Sequence, residues 1–223
     1  MGTIKTTNIE TITGSGTLTL GQSGETVSIP TNTTLGASGT TITIPSGCTI
    51  TNNGTQTGFG GITEADIWHT TSGQLISADT TTTVSGNWSR STTYGGLIGT
   101  GMTESSGNFT FPSTGIWLVS FHAYFNGFGS NGASDANYCA SNIRVTTNNS
   151  SYTAANGGVG LASSNINPKV RYVENKHEIL FDVTNTSTHK VRFTVYIEYQ
   201  NGTLTGQSST NYTYAIFQRL GDT

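Results

Sequence analysis

The stretch that decides the fold is residues 107–123, which read GNFTFPSTGIWLVSFHA. Pro112 has no backbone N–H to give to a strand ladder, so it must end the strand that precedes it. Gly115 permits the turn backbone that is needed before the next strand begins. Four aromatic side chains on the two sides of this turn are predicted to share one core: Phe109, Phe111, Trp117 and Phe121.

The strands around this turn show the two apolar patterns that are typical of β structure. Residues 116–125 are nearly all apolar, as in a central strand that is buried on both faces. Residues 191–199 alternate, with Val191, Phe193 and Tyr199 on the face expected to meet the core and Arg192 on the other. Many strands at short spacing, separated by Gly and Asn, predict an all-β sandwich or jelly roll. The predicted strands are 79–84, 107–111, 115–125, 138–147, 169–173, 177–185, 190–200 and 212–219.

The same stretch resembles the central signature of the complement globular-head and tumour-necrosis-factor-like jelly rolls. In that signature a Gly-x-Phe-Thr strand is followed by a Pro and Gly turn and by an aromatic strand that ends near His-Ala. Residues 212–220 occupy the place of the family's last strand. The resemblance implies a jelly-roll head over residues 76–223 that associates as a tight homotrimer. The residues that carry the signature are Gly107, Phe109, Phe111, Pro112, Gly115 and Trp117.

The first 60 residues differ in composition and contain a repeat. They hold one aromatic residue, Phe59, of the chain's 3 Trp, 9 Tyr and 9 Phe. Residues 20–30 (LGQSGETVSIP) and 35–45 (LGASGTTITIP) are identical at seven of eleven positions. Each copy offers so few apolar side chains that the segment must stack on itself or on other chains. The pattern resembles the 15-residue repeats of triple β-spiral shafts in viral fibres; the alternative is a low-complexity linker.

Three segments are therefore expected along the chain. Residues 1–60 are predicted to form a repetitive β shaft or anchor, and residues 61–75 a connector to the jelly-roll head. Within the connector, the stretch from Ile62 to Trp68 fits either one helical turn, weakly capped by Thr63, or a short strand. The sequence does not decide between these two.

Charge and composition exclude several partners. Only 9% of residues are charged, the net charge is −3 and the isoelectric point is about 5.7, so we expect no nucleic-acid partner. No apolar run approaches the roughly 20 residues of a membrane span, so we expect no membrane insertion. Met1 opens a polar, Thr-rich stretch without a signal-peptide pattern, which favours synthesis in a cytoplasm. Cys48 and Cys139 are predicted to be free thiols.

Motifs that carry chemistry are not found. The four histidines lack metal-ligand spacing, no nucleophile elbow precedes a helix, and the carboxylates are widely separated. We therefore expect no catalytic residue, no metal and no cofactor. His122, in the aromatic strand, is interpreted as a core or interface histidine. His177 and His189 are interpreted as strand ends that face water.

Aromatic residues in Gly-, Ser- and Asn-rich loops give the better functional hint. Flat rings beside amides and hydroxyls can bind sugars or protein loops. The alternative is that such rings cover the core edge or a trimer seam. The candidate ligand-contacting residues are Phe128, Asn131, Asp135 and Tyr152.

These features together predict a virion structural protein. We expect it to form a short homotrimeric fibre or a capsid or tail decoration spike of a tailed phage, acting in surface adhesion or particle decoration. Residues 1–60 would contact other virion proteins. The alternative is a host-recognition or carbohydrate-binding module with its site in loops 126–137 and 148–168. A polysaccharide depolymerase is the third option, and the chain is short for one.

Overall fold

The computed structural model describes residues 43, 46–49, 61–92, 96–126, 137–162, 172–199 and 201–223. The chain divides into two units, Met1–Thr57 and Gly58–Thr223, and every strand given below belongs to the second. Apart from positions 43 and 46–49, the predicted shaft over residues 1–60 lies outside the described residues.

The described part of the second unit consists of strands joined by turns, with no helix. This confirms the prediction of an all-β fold. The strands are β1 (Ala65–Thr70), β2 (Ser72–Ile76), β3 (Thr82–Thr83), β4 (Trp88–Arg90), β5 (Leu97–Ile98), β6 (Thr103–Ser105), β7 (Asn108–Thr110), β8 (Gly115–Asn126), β9 (Asn137–Thr146), β10 (Thr153–Ala162), β11 (Tyr172–Val183), β12 (Lys190–Ile197), β13 (Gly202–Gln207) and β14 (Tyr214–Gly221).

The first sheet is organised around β8, which is paired along both of its sides. On one side β11 pairs with it antiparallel over its whole length, from Gly115 opposite Val183 to Asn126 opposite Tyr172. On the other side it pairs with β14 and β13. β1 lies beyond β14 and pairs in turn with β4 and β5, while β2 pairs with β13. The long apolar run of 116–125 therefore belongs to a central strand, as predicted. Burial on both faces is not complete, because Ile116, Leu118 and Tyr124 on the outward side are half-buried.

The second sheet has the strand order β10-β9-β12-β7-β6, and β3 also pairs with β12. The chain passes repeatedly between the sheets: β8 is in the first, β9 and β10 in the second, β11 in the first and β12 in the second. Apart from the consecutive pairs β6–β7 and β9–β10, neighbours within each sheet are thus distant in sequence, which is the connectivity of a two-sheet jelly roll. The predicted jelly-roll β-sandwich is confirmed for the described residues.

The core between the sheets is aromatic. The ring of Phe109 meets Trp68 and Trp88 edge-on, at centroid distances of 5.6 and 5.2 Å. It also lies 5.5 Å from Phe193 and 5.0 Å from Phe217. Such pairs add stability beyond the area that they bury. The four side chains predicted to share a core are all at most 2% exposed: Phe109, Phe111, Trp117 and Phe121.

The turn that was expected after Pro112 is present between β7 and β8. Trp117 Nε1 donates a hydrogen bond to the Ser113 carbonyl at 3.2 Å, which ties the start of β8 back to the turn. Gly115 has a φ of 140°, and a Cβ at this position would lie 2.5 Å from the Gly221 carbonyl oxygen. Both the backbone angle and the space therefore require glycine.

Two expectations about strand ends are wrong. The strand predicted over 190–200 ends at Ile197, and Tyr199 is 64% exposed instead of facing the core. The reason is a sharp turn: Tyr199 has a φ of 65°, and its backbone N–H donates to Asp79 Oδ1 at 3.2 Å. The strands predicted at 169–173 and 177–185 are joined in the single strand β11.

The segment 61–75, expected to be a connector, contains β1 and nearly all of β2, and both strands belong to the first sheet. Of the two conformations left open for it, the strand is the one formed. Six strands were not predicted: β2, β4, β5, β6, β10 and β13. The sequence of β10, TAANGGVGLA, has three glycines and little alternation, so it lacks the usual signal of a strand.

Candidate functional site

Tyr152 is the candidate ligand-contacting residue whose position is described, and it lies between β9 and β10. Phe128, Asn131 and Asp135 lie outside the described residues. The guanidinium carbon of Arg192 is 3.9 Å from the centroid of the Tyr152 ring, a cation–π contact. Burial raises the pKa of the Tyr152 hydroxyl, and the Arg192 charge opposes that change only in part. The phenol is therefore protonated at neutral pH.

The turn before Tyr152 is fixed by the side chain of Asn148. Its Oδ1 accepts hydrogen bonds from the backbone N–H groups of Ser150 and Ser151, both at 2.9 Å. Asn149 has a φ of 55°, which asparagine adopts more readily than most residues. Hydrogen bonds to the Asn148 side chain thus take the place of backbone–backbone hydrogen bonds in this turn, and they fix the position at which β10 begins.

A cleft of about 290 Å³ opens beside Tyr152 on the outward face of the second sheet. Phe109 of β7 and Val191 of β12 are opposite each other and are buried in the core. Because side chains alternate along a strand, the residues on either side of these two face outward. We call this feature the cationic cleft. It is lined by Ser105, Asn108, Thr110, Asn149, Tyr152, Lys190 and Arg192.

The outward side of the first sheet is also unusual, because it carries aromatic side chains where solvent-facing strands usually carry polar ones. The Tyr124 ring lies 5.7 Å from Tyr172 and 5.3 Å from Tyr212. Tyr214 stacks on His122 at 4.7 Å. We call these five residues the aromatic face.

His122 occupies the middle of the aromatic face and is 8% exposed. Its Nδ1 donates to the Tyr212 carbonyl at 2.7 Å, and its Nε2 is paired with the Glu174 carboxylate. The sequence left open whether this histidine belongs to a core or an interface. It lies outside the core, and neighbouring side chains of the sheet surface cover it.

Aliphatic side chains continue the aromatic face along the same sheet. Leu118 of β8 lies opposite Leu180 of β11, and Leu180 is 66% exposed. Lys176 and Glu178 on this surface of β11 pair with each other, with Lys176 Nζ 3.0 Å from Glu178 Oε1. Their hydrogen bond raises the pKa of Lys176 and lowers that of Glu178. Asp182, two residues beyond Leu180 on the same exposed face, makes no ion pair with a described residue. The exposed leucine therefore has a compensated ion pair on one side along β11 and the unpaired Asp182 carboxylate on the other.

Two histidines were predicted to face water, and both predictions are wrong. His177 lies on the inner side of β11, together with Val173 and Phe181, because the alternation of that strand places all three there. Its Nε2 is 2.7 Å from the Ser141 hydroxyl, and burial lowers its pKa. His189 is only 9% exposed.

One buried carboxylate was not foreseen. Asp66, 2% exposed, accepts hydrogen bonds from Arg90 Nε at 2.9 Å and from Trp68 Nε1 at 2.8 Å. It also accepts one from the backbone N–H of Met102 at 2.7 Å. With both oxygens occupied by donors, this carboxylate joins β1 to β4 and the segment before β6, which is a structural role.

The cysteines are free, as predicted: Cys48 is exposed and Cys139 is buried. Burial raises the pKa of the Cys139 thiol to about 12.

Among the described residues, no three His, Cys, Asp or Glu side chains are grouped closely enough to hold a metal ion. Within the same residues there is no helix with the length and apolarity needed to cross a membrane.

No family model matches the chain, and no curated protein matches its sequence. Solved structures do resemble it. Eiger TNF from S. frugiperda is 13% identical, with 71% of this chain and 93% of that chain covered and a TM-score of 0.48.

Two further structures are similar at the same level. Murine APRIL at pH 5.0 is 13% identical, with 70% of this chain and 98% of that chain covered and a TM-score of 0.49. The PRD1 vertex protein P5 is 16% identical, with 73% and 100% covered and a TM-score of 0.42. Since every TM-score is below 0.5, these likenesses assign neither a family nor a function. The architecture of the head is established by its own strand pairing: two antiparallel sheets packed as a jelly-roll sandwich.

Proposed function

We propose that this chain is a virion structural protein that assembles as a homotrimer, as a short fibre or a decoration spike. The aromatic face is the observation that carries the proposal. A sheet surface with Tyr172 at 61% and Leu180 at 66% exposure presents more apolar area than an isolated protomer needs. Glu174, Lys176 and Glu178 lie between these two side chains on the same face of β11. Exposed apolar patches that polar side chains surround mark interaction sites.

A second copy of the same chain is the occupant that fits this surface. Lys176 and Glu178 beside Leu180 are already paired within the protomer, so burial of this face leaves the Asp182 carboxylate as the charge that a second copy would have to compensate. A closed ring of copies buries the same patch on every protomer. The resemblance of residues 107–123 to trimeric jelly rolls supports three copies.

The repeat in residues 1–60 supports the fibre. Its apolar alternation is too sparse to bury a core alone, and three parallel chains would supply the missing partners. We propose that this segment is the shaft and that it contacts other virion proteins. The heads would then act in adhesion or decoration, where weak contacts repeated three-fold add up to useful avidity.

Light scattering of the purified full chain tests the trimer. The expected mass is three protomers for the wild type and one protomer for Leu180→Lys, which places a charge in the proposed seam. Val159→Lys is the matched control. It replaces a 62% exposed aliphatic residue in β10 of the other sheet, and it should leave the mass at three protomers.

A wild-type mass of one protomer at micromolar concentration would end this proposal. The virion role has a separate test, because the chain should then be found in purified particles. We expect its head to be located in a particle density map as a three-fold projection. Particles that lack the chain altogether would contradict the virion role and leave the trimer standing.

A second candidate is a host-recognition or carbohydrate-binding module. The placement of Tyr152 beside a polar cleft favours it, since an aromatic ring next to amides and hydroxyls suits a sugar. We expect a glycan array to show binding that Tyr152→Ala weakens. A blank array with correctly folded wild-type protein would count against this candidate.

A further inference from the structure

The described part of the chain contains six lysine and arginine side chains, and they fall into two groups. Three of them pair with carboxylates: Arg90 with Asp66, Lys176 with Glu178 and Arg219 with Asp222. The other three make no ion pair with any described residue, and all of them are on the outward face of the second sheet. These three are Arg144, Lys190 and Arg192.

The unpaired cations are neighbours because of strand register. Arg192 of β12 lies directly opposite Arg144 of β9, and Lys190 is two residues before Arg192 on the same face. Like charges opposite each other in a sheet are unfavourable. In a chain with a net charge of −3 and only nine Lys and Arg, this grouping is not a by-product of a basic composition.

Arg192 is held in place by the protein but remains incompletely bonded. Its guanidinium lies over the Tyr152 ring, and its Nε is buried without a hydrogen-bond acceptor among the described residues. A buried donor on a charged group normally has a partner. The missing partner is an acceptor, and Arg192 favours an acceptor that carries negative charge.

The rest of the cationic cleft indicates what else the ligand carries. Besides the two cations and the ring, its lining consists of hydroxyl and amide side chains, from Ser105, Asn108, Thr110 and Asn149. Such groups both donate and accept hydrogen bonds, so they suit a ligand with many hydroxyls. A volume of about 290 Å³ is at the small end of ligand pockets, the size for one or two sugar rings.

We propose that the cationic cleft binds an acidic saccharide, with its carboxylate or sulfate group on Lys190 and Arg192 and a sugar ring beside Tyr152. This deepens the recognition function proposed above as the second candidate and rests on it. It does not depend on the trimer, because one protomer supplies every residue of the cleft. Nucleic acid is disfavoured, since three cations on an acidic chain give no extended basic surface.

Titration calorimetry on the full chain tests the proposal with trigalacturonate and sialyllactose as acidic probes. Lactose and carboxyl-reduced trigalacturonate serve as neutral probes, and sodium sulfate as a free anion. At least one acidic probe should bind, about tenfold or more tightly than its neutral counterpart, which corresponds to one charge-assisted contact. Binding should weaken as salt is added.

Three variants locate the site. Lys190→Gln and Arg192→Gln should each weaken binding of the acidic probe by about tenfold. Lys176→Gln, on the other sheet, should leave it unchanged. Lys190 is partly exposed and has no ion pair, so its variant keeps the test valid if Arg192→Gln fails to fold; thermal melts monitor this.

Several results would overturn the proposal. They are the absence of binding by both acidic probes, equal binding of acidic and neutral probes, and full binding by Lys190→Gln. Sulfate binding as tight as that of the saccharides would reduce the cleft to a general anion site. A trimer that binds neither probe would reject the saccharide site and leave the assembly untouched.

Discussion

At the scale of single residues, Gly115 shows how closely the turn and the sheet end fit each other. Its φ of 140° is a conformation that residues with a Cβ rarely adopt. The space where a Cβ would lie is occupied by Arg219 Nε and the Gly221 carbonyl, both 2.5 Å away. One position thus fixes the start of β8 against the end of β14.

Gly115→Ala should lower the free energy of unfolding by about 2 kcal/mol or more, because it adds a clash to a strained backbone angle. Chemical denaturation measures this. Gly86→Ala is the control, because a Cβ at Gly86 meets no atom within 4 Å. Equal free energies of unfolding for the two variants would show that the turn accommodates the Cβ without a loss of stability.

His177 should make stability depend on pH. Burial lowers its pKa in the folded protein, whereas the same imidazole in the unfolded protein has a pKa of about 6.5. Below that pH the unfolded state binds more protons, so stability falls as pH drops through about 6.5 and is fully present above it.

The measurement is the free energy of unfolding from about pH 8 to about pH 5, for the wild type and for His177→Gln. Glutamine can keep a hydrogen bond to Ser141 but cannot gain the proton, so the variant should lose less stability on acidification. Parallel pH curves for the two proteins would contradict the assignment.

Of the residues that line the cationic cleft, the sequence indicated Tyr152 as a candidate but not Lys190 or Arg192. Tyr152 was noticed because an aromatic residue in a Gly-, Ser- and Asn-rich segment needs a reason to be there. Lys190 and Arg192 were missed because they reach Tyr152 from a strand about 40 residues further along the chain. A signal was present: the alternation of residues 191–199 already separated Arg192 from Val191, and Lys190 shares its face.

At the scale of elements, the strands with clear alternation or long apolar runs were predicted, namely β8 and β12. The β10 strand was not predicted because its sequence is determined by packing against neighbouring strands and not by local strand propensity. A Cβ at Gly160 would meet Val173 of β11, so glycine is needed for packing where local propensity argues against a strand. Local sequence cannot show such a contact between distant strands.

The strand β7 has only three residues, but we expect it to contribute strongly to the stability of the fold, because Phe109 contacts four other rings of the core. Phe109→Ala should destabilise the protein by about 3–5 kcal/mol. Val159→Ala, at a 62% exposed position, should change stability by less than about 0.5 kcal/mol. Denaturant titration compares them. A loss below about 1 kcal/mol for Phe109→Ala would mean that the core can close around the cavity.

At the scale of the whole molecule, the two surfaces for which we propose functions lie on opposite sheets. The aromatic face is on the outward side of the first sheet and the cationic cleft is on that of the second. Association through the first surface therefore leaves the second accessible on every protomer. A trimer would present three equivalent clefts, which is the arrangement that gains from avidity.

If association contributes to stability, the melting temperature should rise with protein concentration by mass action. We expect this rise between about 1 and about 100 µM for the wild type and Val159→Lys, and a flat response for Leu180→Lys. Differential scanning fluorimetry measures it. A wild-type melting temperature that is independent of concentration would argue against coupling between folding and assembly.

The contrast between the two thiols has a practical consequence. Cys139 is sealed between the sheets with a pKa near 12, whereas Cys48 is open to solvent in the Met1–Thr57 unit. A maleimide dye added to native protein should couple at Cys48 alone, giving one fluorophore per polypeptide. A dye on this native cysteine allows distances and rotational freedom in the Met1–Thr57 unit to be measured without engineering a new cysteine.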